Sequence, residues 1–243
     1  MAYRIVPMKR ILLLLLIGLP LLGQQVFRLE PARPIEELRR EALKQSPPAE
    51  TGDFRPPDLI DVAALDTSIR LDVRYAGEDN FLSTPVYESA AAYMQKPAAE
   101  ALVRAHRRLK DSGYGIVIHD TYRPWRVSWI FWEATPANLR DYVANPAQGS
   151  RHNRGCAADV TLYELKTGKT VEMTSLYDEM SERSFPDYPG GTARQRELRE
   201  LLRETMETEG FMVYPFEWWH FDYKDWRHYP IGNQTFEQLR ARR

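Results

Sequence analysis

The stretch SRHNRGCAAD, Ser150 to Asp159, sets a histidine, two arginines, the chain's only cysteine and an aspartate around one glycine. Further on, PFEWWHFDY, Pro215 to Tyr223, places a glutamate and a histidine among five aromatics. A catalytic zinc takes three protein ligands from His, Asp, Glu or Cys and keeps a fourth position open. His152 and Asp159 lie seven apart across Gly155, which lets the chain bend so that both side chains face one point. Among the other histidines, His106 sits in RAHRRLK on a helix and reads as solvated, His228 falls in a tail turn, and His119 ends a strand. His220 is the best third ligand, because its aromatic neighbours supply the dry surroundings that sharpen a metal site. Glu217 precedes His220 by three residues, an offset that sends side chains to opposite faces of a regular strand. For both to serve one ion the backbone must deviate, and Pro215 suits an irregular entry. Glu217 is then the general base that takes the attacking water's proton and hands it to the leaving amine.

Each residue also has a plainer reading. His220 could be a satisfied core side chain, Asp159 a turn residue, Arg151 and Arg154 solvated loop charges, and Cys156 a small filler turned into the core. Only the combination points to a metal.

The elements that must position these groups follow from periodicity. SIRLDVRYA (Ser68 to Ala76) alternates apolar residues and reads as a half-buried strand; YGIVIHD (Tyr114 to Asp120) reads as another. Pro97 to Ser112 and Thr192 to Glu209 carry amphipathic helical stripes stopped by Gly113 and Gly210. Pro124 fits the first turn of a further helix. AADVTLYELKTGKTVEM reads as a hairpin turning at Lys166 to Lys169, and FMVYPFEWWHFDY as one final strand interrupted by Pro215. The expected class is α+β: a single domain with a central, mainly antiparallel sheet flanked by helices.

Residues 1–24 stand apart. A lead carrying Arg4, Lys9 and Arg10 precedes an uncharged run of thirteen, Ile11 to Gly23, shorter than the ~20 residues of a spanning helix. This reads as an export signal and a periplasmic destination, with an uncleaved membrane anchor as the alternative, since Leu21 occupies a position where a small residue is usual. Residues 25–57, with a short charged helix at Pro34 to Lys44 and a Pro-rich stretch, read as a tether or a loose wrap, leaving 58–243 as the domain. One cysteine excludes an internal disulfide. A net charge of -1 and the lack of a basic stripe give no reason to expect nucleic acid.

SRHNRGCAAD fits the pattern S-x-H-x-x-G-x-A-x-D, and EWWH the element E-x-x-H, of the zinc D-alanyl-D-alanine peptidases. The chain resembles more narrowly the D-Ala-D-Ala dipeptidases of the vancomycin-resistance type (peptidase family M15, subfamily D), with further matches in RYAGEDNF, DTYRP, DVTLYELKTG and YDEMSERS. The resemblance spans about residues 58–229 and implies the sheet-and-helix fold shared with hedgehog-like domains. It implies one Zn2+ per chain on His152, Asp159 and His220, and Glu217 as base and then acid. It also implies Arg123 beside the scissile carbonyl, and Tyr75, Ser150 and Asp178 around the substrate's free ammonium. A carboxylate at a set distance from the metal acts as a ruler that accepts a dipeptide and refuses an internal bond. The expected substrate is the small dipeptide, cleaved in D-alanine salvage or peptidoglycan turnover. The competing expectations are a D,D-carboxypeptidase or another crosslink peptidase of the same metal fold and, outside the enzymes, a wall-binding module that keeps zinc structurally.

Overall fold

The clearest periodic segments build the frame. The computed structural model describes residues 26–241, so the expected export signal lies outside the described residues. Two short strands, β1 (Leu59–Asp61) and β3 (Tyr93–Gln95), pair antiparallel. The main sheet holds β2 (Arg70–Leu71), β4 (Tyr114–Asp120), β5 (Ala157–Glu164), β6 (Phe211–Tyr214) and β7 (Glu217–Tyr223). Their order across the sheet is β2–β4–β5–β7–β6, with β2 parallel to β4 and every other pairing antiparallel. Helices α1 (Ile35–Ala42), α2 (Val62–Leu65), α3 (Lys96–Asp111), α4 (Trp125–Ala134), α5 (Ala193–Thr208) and α6 (Phe236–Arg240) complete the fold, which is the expected α+β class. No helix among the described residues is long and apolar enough to cross a membrane.

One face of the sheet is dry. Ile116 and Ile118 of β4 and Val160 and Leu162 of β5 pack with Leu102 and Leu109 of α3 and Leu202 and Met206 of α5, all nearly fully buried. Thr192 caps α5 through a reciprocal pair of hydrogen bonds with Gln195, and Gly210 ends it at φ 88°. Strand residues alternate between faces, so Asp159, between Ala158 and Val160, turns to the opposite side. There a second cluster gathers Leu38, Tyr75, Phe81, Phe131 and Phe236.

Four expectations need correction. SIRLDVRYA keeps only Arg70–Leu71 in the sheet; Arg74–Ala76 curls into a 3-10 turn, held because the Tyr75 carbonyl accepts from the amides of Val86 and Tyr87. The return limb after β5 is a single bridge, Tyr163 to Thr170, rather than a strand. FMVYPFEWWHFDY is two strands, not one: Pro215 and Phe216 turn β6 back onto β7. The 25–57 stretch is packed rather than a tether, as far as residues 26–57 show. Leu38 of α1 is fully buried, and the Glu50 carboxylate accepts from Arg154 at 2.6 Å and from the Ile231 amide at 2.7 Å. Arg154 is therefore a buried partner of that wrap rather than a solvated loop charge.

Candidate active site

Cross-strand pairing explains how residues 61 apart meet. Asp159 of β5 lies directly opposite His220 of β7, a position that sets side chains about 4.5–5.5 Å apart on one face. His220 Nδ1 is 3.0 Å from Asp159 Oδ1. His152 arrives from a tight turn in which the Gly155 amide donates to the His152 carbonyl. Gly155 has φ 70°, and a Cβ there would strike Leu59 at 2.4 Å, so only glycine closes this turn as built. His152 Nε2 reaches 3.1 Å from His220 Nδ1 and 3.3 Å from Asp159 Oδ1. The three buried residues offer one ligand atom each, all within 4.8 Å of one another.

The far side of each imidazole is fixed. His152 Nδ1–H donates to the Thr121 carbonyl at 2.6 Å, and His220 Nε2–H donates to Asp222 Oδ1 at 3.0 Å. Those bonds turn the lone pairs of His152 Nε2 and His220 Nδ1 toward Asp159, the tautomers a metal needs. Burial alone would push the Asp159 carboxyl pKa up, but positive charge on the neighbouring imidazoles, whose protons a metal would displace, and hydrogen bonds from them hold it well below its usual range. Its second oxygen accepts from the Tyr177 hydroxyl at 2.9 Å. Two imidazoles and one carboxylate, oriented this way, fit a zinc ion in both number and ligand type.

The required irregularity is found in the β6–β7 register. Val213 pairs Phe221, yet Tyr214 pairs Glu217, so β7 carries extra residues at the turn. Glu217 Oε2 consequently comes within 3.6 Å of His220 Nδ1. Burial pushes the Glu217 carboxyl up to about 7, with the nearby His220 opposing and Asp159 reinforcing the shift. A second bulge sets both His119 and Asp120 of β4 against Asp159 of β5. Asp120 then clamps Arg123, with Nε at 2.9 Å and Nη2 at 2.7 Å from Oδ2. The guanidinium lies 4.8 Å over the Phe131 ring and 3.8 Å from Asp159 Oδ2.

Tyr75 donates its hydroxyl to Asp178 at 2.9–3.0 Å, and Asp178 adopts φ 59°. Asp178 has no ion pair among the described residues; burial and the Asp159 charge push its carboxyl pKa well up. Ser150 lines the same cavity but its hydroxyl accepts from the His152 amide at 3.1 Å, so it shapes the turn; among the described residues it has no hydrogen bond to the Tyr75–Asp178 pair. One cavity of about 240 Å³ is lined by Tyr75, Arg123, Ser150, Asp178 and Glu217 with the His152–Asp159–His220 set. That lies below the ~300–1,000 Å³ of drug-sized sites, a scale suited to a very small substrate.

Three further residues complete the site. Asp222 was legible as the residue two beyond His220, on its face of the strand, and Asp120 as the acid three before Arg123. Tyr177 offered no signal beyond its place next to Asp178. His106 corrects the solvated reading: it is fully buried, accepts from the Ile116 amide at 3.0 Å and lies 2.9 Å from the Ser68 hydroxyl.

The family model described as D-Ala-D-Ala dipeptidase, peptidase family M15, matches residues 55–239. A D-alanyl-D-alanine dipeptidase of Enterococcus faecium is 37% identical over 187 residues, covering 70% of this chain and 91% of that protein. One of Escherichia coli (strain K12) is 33% identical over 179 residues, covering 74% and 91%. Among solved structures, that of the LdcB LD-carboxypeptidase aligns with TM-score 0.44 and 18% identity over 79% of this chain and 76% of its own. The chain belongs to the D-Ala-D-Ala dipeptidase family of metallopeptidases, family M15.

Proposed function

We propose that the protein is a zinc-dependent dipeptidase that splits D-Ala-D-Ala into two D-alanines. The observation that carries this reading is the Asp178 carboxyl, without an ion pair among the described residues and held by Tyr75, in the same small cavity as the His152–Asp159–His220 set. A carboxyl pushed up by its surroundings gains most from a cation, and the free ammonium of a dipeptide supplies one. An acylated dipeptide, or a chain extended at its amino end, brings no such charge to that place.

His152, Asp159 and His220 would hold the zinc, which supplies a Lewis acid that polarises the scissile carbonyl and eases deprotonation of water. Glu217, beside His220 and poised near neutrality by its burial, takes the proton from the attacking water and returns it to the leaving amine. Arg123, locked by Asp120, presents a fixed positive charge to the oxygen on which negative charge develops. Asp178 and Tyr75 fix the amino end, which sets the bond that reaches the base.

With the basic, apolar lead of residues 1–24, the proposal extends to export, and the role to D-alanine salvage or peptidoglycan turnover rather than trimming in the cytoplasm. The deciding experiment measures amine release from D-Ala-D-Ala, L-Ala-L-Ala and acetyl-D-Ala-D-Ala with and without a chelator. The expected result is chelator-sensitive cleavage of D-Ala-D-Ala alone. Equal cleavage of the acetylated compound would overturn the ruler in favour of a D,D-carboxypeptidase, and zinc-loaded inactivity on all D-Ala-terminated peptides would favour a binding module.

A further inference from the structure

Two arginines line the cavity, and they are held differently. Arg123 is nearly buried and committed to Asp120. Arg151, on the turn between Ser150 and His152, has a side chain 40% exposed and makes no side-chain hydrogen bond among the described residues. Its Nε lies 3.2 Å from Asp222 Oδ2 in an ion pair without hydrogen-bond alignment. Its guanidinium carbon stands 4.8 Å over the Trp226 ring. The group is thus braced on two sides, with the donors of both terminal nitrogens uncommitted among the described residues, at the wall of the cavity that also holds the Asp178 carboxyl.

The two groups reach the His152–Asp159–His220 set by different routes. Asp178 joins the ligand set through Tyr75, Tyr177 and Asp159, whose successive polar contacts are 2.9, 3.2 and 2.9 Å. Arg151 joins it from the other side, through Asp222 and the Nε2 edge of His220. The Tyr214 ring, 5.4 Å from that of His220, lines the cavity on the same side. A zwitterion with its ammonium at Asp178 and its central carbonyl at Arg123 and the ligand set therefore directs its carboxylate toward Arg151. A guanidinium with free terminal N–H groups is the side chain best suited to a carboxylate, which it can grip through two parallel bonds.

We propose that Arg151 is the subsite for the substrate's terminal carboxylate, so that the cavity measures a dipeptide at both ends. The inference rests on the dipeptidase reading above and adds a requirement that Asp178 does not impose: a free carboxyl terminus. It also gives Arg151 a role separate from the scissile bond, since Arg123 already serves the carbonyl.

The test compares D-Ala-D-Ala with D-Ala-D-alaninamide as substrates of the zinc-loaded wild type, Arg151→Gln and Arg151→Lys, with zinc content measured for each. The wild type is expected to favour the acid by about 10- to 100-fold in kcat/KM, the range of a charge-assisted hydrogen bond. Arg151→Gln should bring that ratio close to one, chiefly through KM for the acid, with zinc content and amide turnover little changed. Arg151→Lys should recover part of the preference. An Arg151 that only braced Asp222 and His220 would behave otherwise: Arg151→Gln would lose zinc, or lose both substrates equally, with the ratio intact, and either result overturns the proposal. So does a wild type that cleaves acid and amide alike. A zinc-loaded wild type that cleaves neither overturns the dipeptidase reading itself, and the carboxylate subsite with it.

Discussion

Replacing Tyr177 with Phe isolates one hydroxyl in the support of the ligand set. The ring itself stays packed, stacked on His119 at 4.6 Å and edge-on to Trp219 at 5.5 Å, so the variant loses an oxygen and little else. Two hydroxyls and two carboxylates share this corner. Tyr75 gives its proton to Asp178 and Tyr177 gives its own to Asp159 Oδ2, which leaves the 3.2 Å contact between the hydroxyl oxygens without a proton of its own. In Tyr177→Phe, Asp159 Oδ2 is buried with its nearest remaining cation, Arg123 Nη2, 3.8 Å away and held by Asp120. A hydrogen bond to a charged group contributes about 1.5–3 kcal/mol. Losing an outer partner of a metal ligand costs about 10- to 100-fold in affinity, equivalent to about 1.4–2.8 kcal/mol, so the two scales agree. Zinc competition against a chromophoric chelator at neutral pH should show that loss. Urea unfolding of the metal-free protein should show a smaller one, because His152 and His220 still hold Asp159 Oδ1. Zinc affinity within about twofold of wild type would refute the claim that this hydroxyl orients Asp159.

Two other perturbations follow from the same geometry. Glu217→Gln should lower kcat by about 10²- to 10⁴-fold with zinc content unchanged. Because the ionised carboxylate is the base and burial raises its pKa to about 7, wild-type kcat/KM should fall on the acid side, at or below about 7 since a bound cation favours the ionised form. Glu217→Gln should flatten that limb, and a pH-rate profile checks it. His106 predicts a pH-dependent stability. Burial, with Lys110 and Arg107 nearby, pushes its pKa down to about 4 from an ordinary 6.5, and protonating Nδ1 would break the bond from the Ile116 amide. The unfolded chain binds this proton more readily, so stability is whole above 6.5 and declines as pH falls toward about 4, by up to ~3 kcal/mol. Urea midpoints between pH 7 and 4 should decline less in His106→Gln than in wild type.

Local chemistry made some features legible and long-range contacts hid others. β4 was readable to the residue because Tyr114 to Asp120 is a short β-branched run buried on both faces. α5 was readable because an apolar stripe, Thr192 and Gly210 all mark the same helix. That His152, Asp159 and His220 gather in one place was readable from their combination of residue types beside a glycine turn. The curl at Arg74–Ala76 was not, because amides eleven and twelve residues further on hold the Tyr75 carbonyl off the sheet. Nor was the burial of His106, whose neighbours in sequence are cationic while its partners, Ser68 and Ile116, come from other elements. Residues 26–57 read as a short charged helix and Pro-rich punctuation, and their anchors, among them Leu38, Ala42 and Glu50, are contacts with distant elements that composition does not register.

Three departures from regular backbone fall around the site, and each has a task that regular geometry could not perform. Without the bulge in β4, His119 would stand opposite Asp159 and Asp120 would face the packed side of the sheet, leaving Arg123 without its clamp. Without the shift in the β6–β7 register, Glu217 and His220 would point apart. Without φ 59° at Asp178, a conformation that aspartate tolerates at a cost of about 1–2 kcal/mol, its carboxyl would not meet Tyr75 as it does. The neighbouring regular pairings, from Tyr114–Glu164 to Ile118–Val160 and from Phe211–Tyr223 to Val213–Phe221, fix where the two strand faults fall. Two faults in the sheet and one in a loop thus hold the proposed base, oxyanion donor and ammonium acceptor around the His152–Asp159–His220 set, and repairing any of them should cost activity while sparing stability.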